Sequence, residues 1–300
     1  MLTGCRIAFL GGDARQIEVI KHCSDLDATI ILYGYENLKN EFSGAIKKSI
    51  TPESFADVDA VVLPVAGMQA SGKVDSCFTN QDLVLTDEHF KNMKKDALVF
   101  TGIANESLMN LCRQYQCHLI ELMNLDEVAI LNSIPTAEGA ILMAIQNTDF
   151  TIHGSRCFVL GLGRVGITLA RTLSGLGSKV YVGARKPEDL ARIKEMGLIP
   201  FQMRDLPQYL EKADIVFNTV PSMVLDALSL VKLPPHALII DLASKPGGTD
   251  FRYAEKRGIK SILAPGLPGI VAPKTAGKII AGSLARLLLE HKQQHGGEKQ

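Results

Sequence analysis

The most chemically informative stretch of the 300-residue chain runs from Arg156 to Gly166, RCFVLGLGRVG. An apolar run, a Gly turn and a helix start follow in that order. That context is what gives a G-x-G-x-x-G its meaning. Gly161 permits the tight turn, Gly163 lets the backbone approach a pyrophosphate, and Gly166 lets the helix pack close to the strand. The N–H groups around Arg164 and Val165, with the helix dipole, then face an anion. The pattern predicts a dinucleotide site.

The next strand decides which dinucleotide. It ends Val182-Gly183-Ala184-Arg185-Lys186-Pro187. A carboxylate at this point would accept the ribose 2′-OH of NAD. Here it is missing, and Arg185 and Lys186 stand where a 2′-phosphate would be. NADP(H) is therefore expected, with NAD possible. The alternative is that Arg185 only covers the adenine face, which suits either cofactor. Ligands of open α/β sheets lie beyond the carboxyl ends of the strands. Thr219, Val220 and Pro221 end one strand, Asp241 and Ala243 another, and Pro265 follows the last. These residues are expected to line the nicotinamide half of the site.

A second Gly turn, Gly11-Gly12-Asp13-Ala14-Arg15-Gln16, lacks the third glycine. It predicts no dinucleotide site. Arg15 and Gln16 would sit at a helix N-terminus, which suits a carboxylate ligand. The alternative is a solvated first-turn arginine. Alcohol oxidation commonly uses a histidine base. None of the seven histidines (His22, His89, His118, His153, His236, His291, His295) lies in the loop 265–274, where two-domain 2-hydroxy-acid dehydrogenases place theirs. A reaction driven by the substrate itself, such as aromatising a dihydro ring, remains open.

Two sets of elements must position these residues. Strands are expected at Arg6–Leu10, Thr29–Tyr33, Ala60–Val65, Ala97–Thr101 and His118–Leu122, with helices at Arg15–Cys23, Thr86–Met93 and Glu106–Tyr115. Gly67–Asp82 reads as a surface loop with room to move. The rhythm then restarts. Strands fit Arg156–Leu160, Lys179–Val182, Ile215–Asn218, Ala237–Asp241 and Ser261–Leu263. Helices fit Val165–Leu176, Pro187–Met196, Leu206–Lys212, Val224–Leu228 and Phe251–Arg257. Alternating strands and helices predict α/β architecture: two doubly wound parallel-sheet, Rossmann-like domains. The boundaries expected are 1–130 for a substrate domain, 131–150 for a bridging helix and 151–270 for the cofactor domain. The run Leu125–Gln146 should break at Pro135 and restart on Thr136-Ala137-Glu138. Ala276–Lys292 should return to the first domain and fray into HGGEKQ; the alternative is a terminal helix on the second.

Composition narrows the class. Lys+Arg and Asp+Glu are 32 each, so the net charge is zero, which argues against a nucleic-acid binder. Residues 1–150 hold 11 basic and 20 acidic side chains, and residues 151–300 hold 21 and 12. The basic half is the one with the nucleotide turn. Six cysteines without CxxC or Cys/His spacing predict reduced thiols and no metal site. No apolar stretch of about 18 residues and no signal peptide stand out, so no membrane association and a cytoplasmic location are expected.

Taken together, GGDARQ (11–16), NSIPTAEGAI (132–141), VLGLGRVG (159–166), GARK (183–186), IDLASKPGG (240–248) and APGLPGIVAPKTAG (264–277) resemble the A-subunit family of bacterial dipicolinate synthases. The resemblance runs the length of the chain. It implies an NAD(P)-dependent dehydrogenase acting on a ring carbon of the dihydro or 4-hydroxy-tetrahydro precursor of pyridine-2,6-dicarboxylate. It also implies a flavoprotein-like B subunit as partner, an oligomer, and work in the mother cell of a sporulating bacterium. A dicarboxylate calls for cations, for which Arg15, Lys245 and Lys274 are candidates, with Gln16, Thr136, Ser222 and Ser244 as neutral donors. Thr136, Lys245 and Glu138 are the catalytic candidates, with Glu138 taking the ring proton. The alternative for Glu138 is a capping carboxylate in a first helical turn. Two other readings stand beside this one. The chain could be a nucleotide-binding partner whose catalysis lives in another subunit, or an orphan 2-hydroxy-acid or amino-acid dehydrogenase.

Overall fold

The structure is a computed structural model that describes the backbone of residues 1–296. Of the expected frayed tail, residues 297–300 lie outside the described residues. The chain forms two compact units, Met1–Leu131 with 272–300, and Asn132–Val271.

Unit 1 begins with β1 (Arg6–Leu10), α1 (Arg15–Asp25), β2 (Thr29–Tyr33), β3 (Ala45–Lys48) and β4 (Ala60–Val62). A short hairpin follows, β5 (Lys73–Val74) and β6 (Leu83–Val84). Then come α2 (Asp87–Lys91), β7 (Leu98–Thr101), α3 (Glu106–Gln114) and β8 (His118–Glu121). The sheet is all parallel in the order β3-β2-β1-β4-β7-β8. Alternate residues of β1 enter opposite cores. Ile7 and Phe9 join Val19, Ile20 and Leu284 on one face, while Ala8 and Leu10 join Phe90, Leu108 and Cys112 on the other. A strand buried on both faces reads as a continuous apolar run, which is why it was legible.

The helix α4 (Asp126–Asn147) crosses from unit 1 into unit 2. It runs without a break through Pro135, so the expected interruption is corrected. Proline removes one N–H from the helix ladder. At the next residue, Thr136 Oγ1 donates to the Asn132 carbonyl at 2.7 Å. By length and composition α4 could cross a membrane, with a mean hydropathy of 1.6 over its most apolar window. Half of that window is buried in protein, and Ala137, Ala140, Ile141 and Ala144 are spent in the core of unit 2.

Unit 2 continues with β9 (Arg156–Leu160), α5 (Arg164–Gly175), β10 (Lys179–Ala184), α6 (Pro187–Glu195), β11 (Ile199–Gln202) and α7 (Leu206–Leu210). It is completed by β12 (Ile215–Asn218), α8 (Ala227–Leu230), β13 (Leu238–Asp241), α9 (Phe251–Lys256), β14 (Lys260–Leu263) and α10 (Leu267–Val271). Its sheet, β11-β10-β9-β12-β13-β14, is again all parallel, with the same strand order as the first. Both follow the doubly wound pattern, in which strand order reverses beside the first strand. The helix expected at Val224–Leu228 starts later, at Ala227, because Asp226 caps it by accepting from the Ser229 N–H. The chain ends in α11 (Pro273–Gly296), which packs on α1 of unit 1. A Cβ at Gly277 would collide with the Arg15 carbonyl oxygen, so the close approach of α1 and α11 requires glycine there.

One ion-pair cluster ties the start of β9 to the start of β12. Asp214 accepts from the Arg156 main-chain N–H at 2.8 Å, from its Nη2 at 2.8 Å, and contacts His236 Nε2 at 3.1 Å. Burial alone would raise this carboxyl, but the hydrogen bonds from Arg156 and His236 outweigh it and hold it down to about 2. The folded value lies below the unfolded one of about 3.9, so the stabilisation is present above pH ~4 and drains away as pH falls toward 2. Asp214→Asn should flatten the acid side of a Tm-against-pH curve measured from pH 7 to 2. An unchanged acid slope would overturn the assignment.

Candidate functional site

In unit 2 the strand order reverses between β9 and β12, and the Gly turn 161–166 sits at that point. Gly161 has a φ of +99°, a conformation that favours glycine. A Cβ on Gly166 would collide with the Gly161 carbonyl oxygen, so α5 can lie against the turn only because the side chain is missing. Gly163 differs, since nothing lies within 4 Å of a Cβ built there. It caps α5 with no side-chain hydrogen bond and no acidic residue in the first turn. That helix end offers donors to an outside anion rather than to its own chain. Arg164 is exposed and Val165 half-buried at its rim.

The neighbouring strand end holds this turn in place. The Thr219 N–H and Oγ1 both donate to the Leu160 carbonyl, at 3.0 and 2.8 Å. Val220 is half-buried beside it, and Pro221 and Ser222 are exposed. Asp241 was expected to face the cofactor, and this is corrected. It is fully buried. Its carboxylate accepts from Asn218 Nδ2, from the Ala243 and Gly248 N–H groups, and from Thr249 Oγ1, all within 3.0 Å. It therefore shapes the loop after β13, and the Ala243 N–H is already used. That loop leaves Ser244 and Lys245 exposed. Pro265 is exposed after β14.

Arg185 and Lys186 emerge exposed at the end of β10. Neither makes an ion pair among the described residues. A carboxylate is absent from this strand end, as the spacing predicted. Glu138 is exposed, but it lies well inside α4 rather than in a first turn, so neither cap nor dipole accounts for it. Next to it, Gly139 lets α4 approach Leu267 and Val271 of α10. Thr136 is half-buried, and its hydroxyl proton is committed to Asn132.

Unit 1 has its own cavity of about 520 Å³, at the ends of β1 and β4. Arg15 lines it, but not as a free cation. Its Nε and Nη2 clasp Asp13 at 2.9 and 2.6 Å, and Asp13 also accepts the Arg15 main-chain N–H. Burial would raise the Asp13 carboxyl; the Arg15 hydrogen bonds and charge outweigh this and hold it below its usual range. Nη1 has no partner among the described residues and stays available. Gln16 is corrected: it is buried, and its Nε2 donates to the Leu63 carbonyl. Lys274 is exposed in the first turn of α11 and does not line this cavity. The hairpin segment read as a loop supplies most of the wall, including Lys73, Asp75, Ser76, Cys77 and Asp82. The other five cysteines are buried. Burial pushes the thiols of Cys23 and Cys112 up to about 12, which makes them unsuited to nucleophilic work.

Two doubly wound units, one with an intact Gly turn on a bare helix N-terminus, define an NAD-binding dehydrogenase-type protein. Comparison agrees: residues 138–244 match the D-isomer specific 2-hydroxyacid dehydrogenase NAD binding domain, and residues 6–123 match the N-terminal domain of the dipicolinate synthase A-subunit. The chain belongs to the dipicolinate synthase A-subunit family. The dipicolinate synthase A-subunit of Bacillus subtilis is 49% identical over 99% of this chain and 100% of its own. Its crystal structure superposes with a TM-score of 0.94, over 98% of this chain and 99% of that one. The A-subunit structure from Bacillus halodurans is 51% identical, with a TM-score of 0.94 over 96% and 99% of the two chains. A transhydrogenase from Sinorhizobium meliloti, 15% identical with a TM-score of 0.69 over 95% and 94%, shares the fold.

The two glycines of the turn separate binding from folding. Gly163→Ala should leave the Tm of the cofactor-free protein unchanged and weaken dinucleotide binding about tenfold or more, since the methyl occupies the anion's approach. Gly166→Val should instead lower the Tm by several degrees, because α5 must move off the turn. Calorimetric titration and thermal melts of both variants check this. Equal effects on both observables would contradict it.

Proposed function

We propose that the chain is the dehydrogenase subunit of a dipicolinate synthase, oxidising a dihydro dicarboxylate ring, formed from the 4-hydroxy-tetrahydro ring by loss of its hydroxyl as water, to pyridine-2,6-dicarboxylate, with one hydride passing to NADP⁺ and one proton released. The observation that carries the reading is the bare N-terminus of α5 behind the Gly turn, in a chain 49% identical to a protein named for that synthase. The unpaired Arg185 and Lys186 support NADP⁺ over NAD⁺ by attracting a 2′-phosphate.

The turn fits a dinucleotide because a Cβ at Gly163 would meet only open space. Gly161, Gly163, Arg164, Val165 and Gly166 would hold the pyrophosphate. Thr219, Val220, Pro221, Ala243 and Pro265 would surround the nicotinamide half, with Asp241 shaping that wall from beneath. When bound, the oxidised nicotinamide ring supplies the acceptor for a hydride from the substrate. Within unit 2, Glu138 accepts the ring proton, Thr136 can serve only as an acceptor because its hydroxyl proton is held by Asn132, and Lys245 offsets carboxylate charge beside Ser222 and Ser244. Within unit 1, Arg15 contacts a carboxylate through Nη1, and Gln16 fixes the strand end behind it; Lys274, exposed on α11, is only a further cationic candidate. Aromatisation draws the reaction forward, so the missing histidine base is no obstacle. The chain works in the mother-cell cytoplasm of a sporulating bacterium, as an oligomer and with a flavoprotein-like second subunit.

One observation favours a second reading, that of a nucleotide-binding partner subunit. The carboxylate at the end of β13, Asp241, is wholly used in holding its loop. Purified chain mixed with substrate and NADP⁺ should show reduced-cofactor absorbance without any second subunit. Absorbance only on adding the partner would favour the second reading. Turnover of simple hydroxy or amino acids instead would point to an orphan dehydrogenase. For the cofactor, Arg185→Glu should weaken NADP⁺ by about 1.5–3 kcal/mol, the scale of a charge-assisted hydrogen bond, and NAD⁺ far less. Equal weakening of both would remove the 2′-phosphate assignment.

A further inference from the structure

The cavity of unit 1 contains a second cation that plays no part in the proposed reaction. Lys73 opens the hairpin on β5, and its Nζ donates to Asp82 Oδ1 at 2.7 Å at the hairpin's far end. Both residues line the same cavity as Arg15. Each of its two cations is thus met by a carboxylate of the chain, but the two pairs are held very differently.

The Arg15–Asp13 pair is fixed. The Arg15 side chain is 14% exposed and that of Asp13 46%, but Asp13 also accepts the first main-chain N–H of α1, so moving it would break that bond as well as the two from the guanidinium. The Lys73–Asp82 pair is loose. Its side chains are 46% and 76% exposed, and the Asp82 carboxylate has no other partner among the described residues. Exposed pairs of this kind are weak and screened by salt.

The third carboxylate of the cavity, Asp75, accepts from Gln69 Nε2. With both pairs closed, the three carboxylates Asp13, Asp75 and Asp82 outnumber the two cations Arg15 and Lys73, so the cavity offers no net attraction to an anion. Swinging Asp82 into water removes one negative charge and exposes an ammonium. A ligand with one carboxylate is served by Arg15 Nη1 and has no need of that exchange. A ligand with two gains from it.

We propose that Lys73 is an exchangeable carboxylate-binding residue, released from Asp82 when a dicarboxylate enters, and that this exchange selects diacids over monoacids. The choice of a cyclic dicarboxylate as ligand rests on the proposed function; the exchange itself rests on the two pairs. Binding to the full-length chain, without cofactor, is measured calorimetrically at fixed low ionic strength. The probes are pyridine-2,6-dicarboxylate and pyridine-2-carboxylate. Lys73→Met should weaken the diacid about tenfold or more, as expected for a lost charge-assisted contact, and leave the monoacid little changed. Asp82→Asn should tighten the diacid several-fold, a gain that a merely structural pair would not yield. Diacid binding unchanged in Lys73→Met, diacid binding weakened in Asp82→Asn, or no diacid binding by the parent chain would each overturn the proposal. Failure of the dehydrogenase reading has a separate signature: the two variants behave as expected, yet no reduced cofactor appears.

Discussion

The cofactor unit depends on one close approach. Strand β9 ends, the chain turns at Gly161, and α5 starts almost on top of that turn because Gly166 has no side chain. On the far side, Thr219 spends its N–H and its hydroxyl on the Leu160 carbonyl. The carbonyl is thereby satisfied from one side, and the helix end is left bare on the other. A helix N-terminus has four unpaired N–H groups whichever way it is turned. What makes this one a site is that neither a capping side chain nor an acidic first turn has claimed them.

A similar logic, at a different depth, governs the next two strand ends. Asn218 and Asp241 are both fully buried, and each binds the other as well as the backbone around it. Burying a carboxylate is costly unless its hydrogen bonds are met. Here four donors meet it, and three of them come from the loop after β13. The charge is therefore an organiser of that loop, which presents Ser244 and Lys245 outward. Treating every polar residue at a strand end as a ligand contact misses this division. Residues at the tips of loops are exposed to ligands, whereas the last residue of a central strand is under the loop.

The same distinction explains which parts were legible from sequence. The Gly turn was legible because its demands are local: a positive φ at Gly161 and a missing Cβ at Gly166 are imposed by residues six apart or fewer. The central strands were legible because both faces are buried, so their apolar runs are unbroken. Of the edge strands, β8 and β14 were legible, but β3 and β11 were not. β3 is largely exposed and β11 carries Pro200, and neither shows an apolar run. The burial of Gln16 depends on a carbonyl 47 residues away, at Leu63. Pro135 misled for a further reason. It argues for a break on its own, but Asn132, Ser133, Pro135, Ala137 and Ala140 are all buried, and tertiary packing on both sides of the proline overrides one lost N–H.

Unit 1 repeats the strand order of unit 2 but closes its switch point with charge instead of opening it with glycine. Gly11 and Gly12 also have positive φ, yet the space after them is taken: Gly12 N–H donates to the Asp75 carbonyl, and Cys77 N–H donates back to Gly12. The hairpin is in effect stitched onto the end of β1. Asp13 then fills the anion-binding end of α1 from within, as a built-in counterion to Arg15. One sheet topology thus yields two kinds of site. In unit 2 the helix end is left bare, and in unit 1 a carboxylate of the chain accepts from it. What unit 1 offers at this end is therefore side chains, and of its two cations the one on the hairpin is more exposed than the one on the helix.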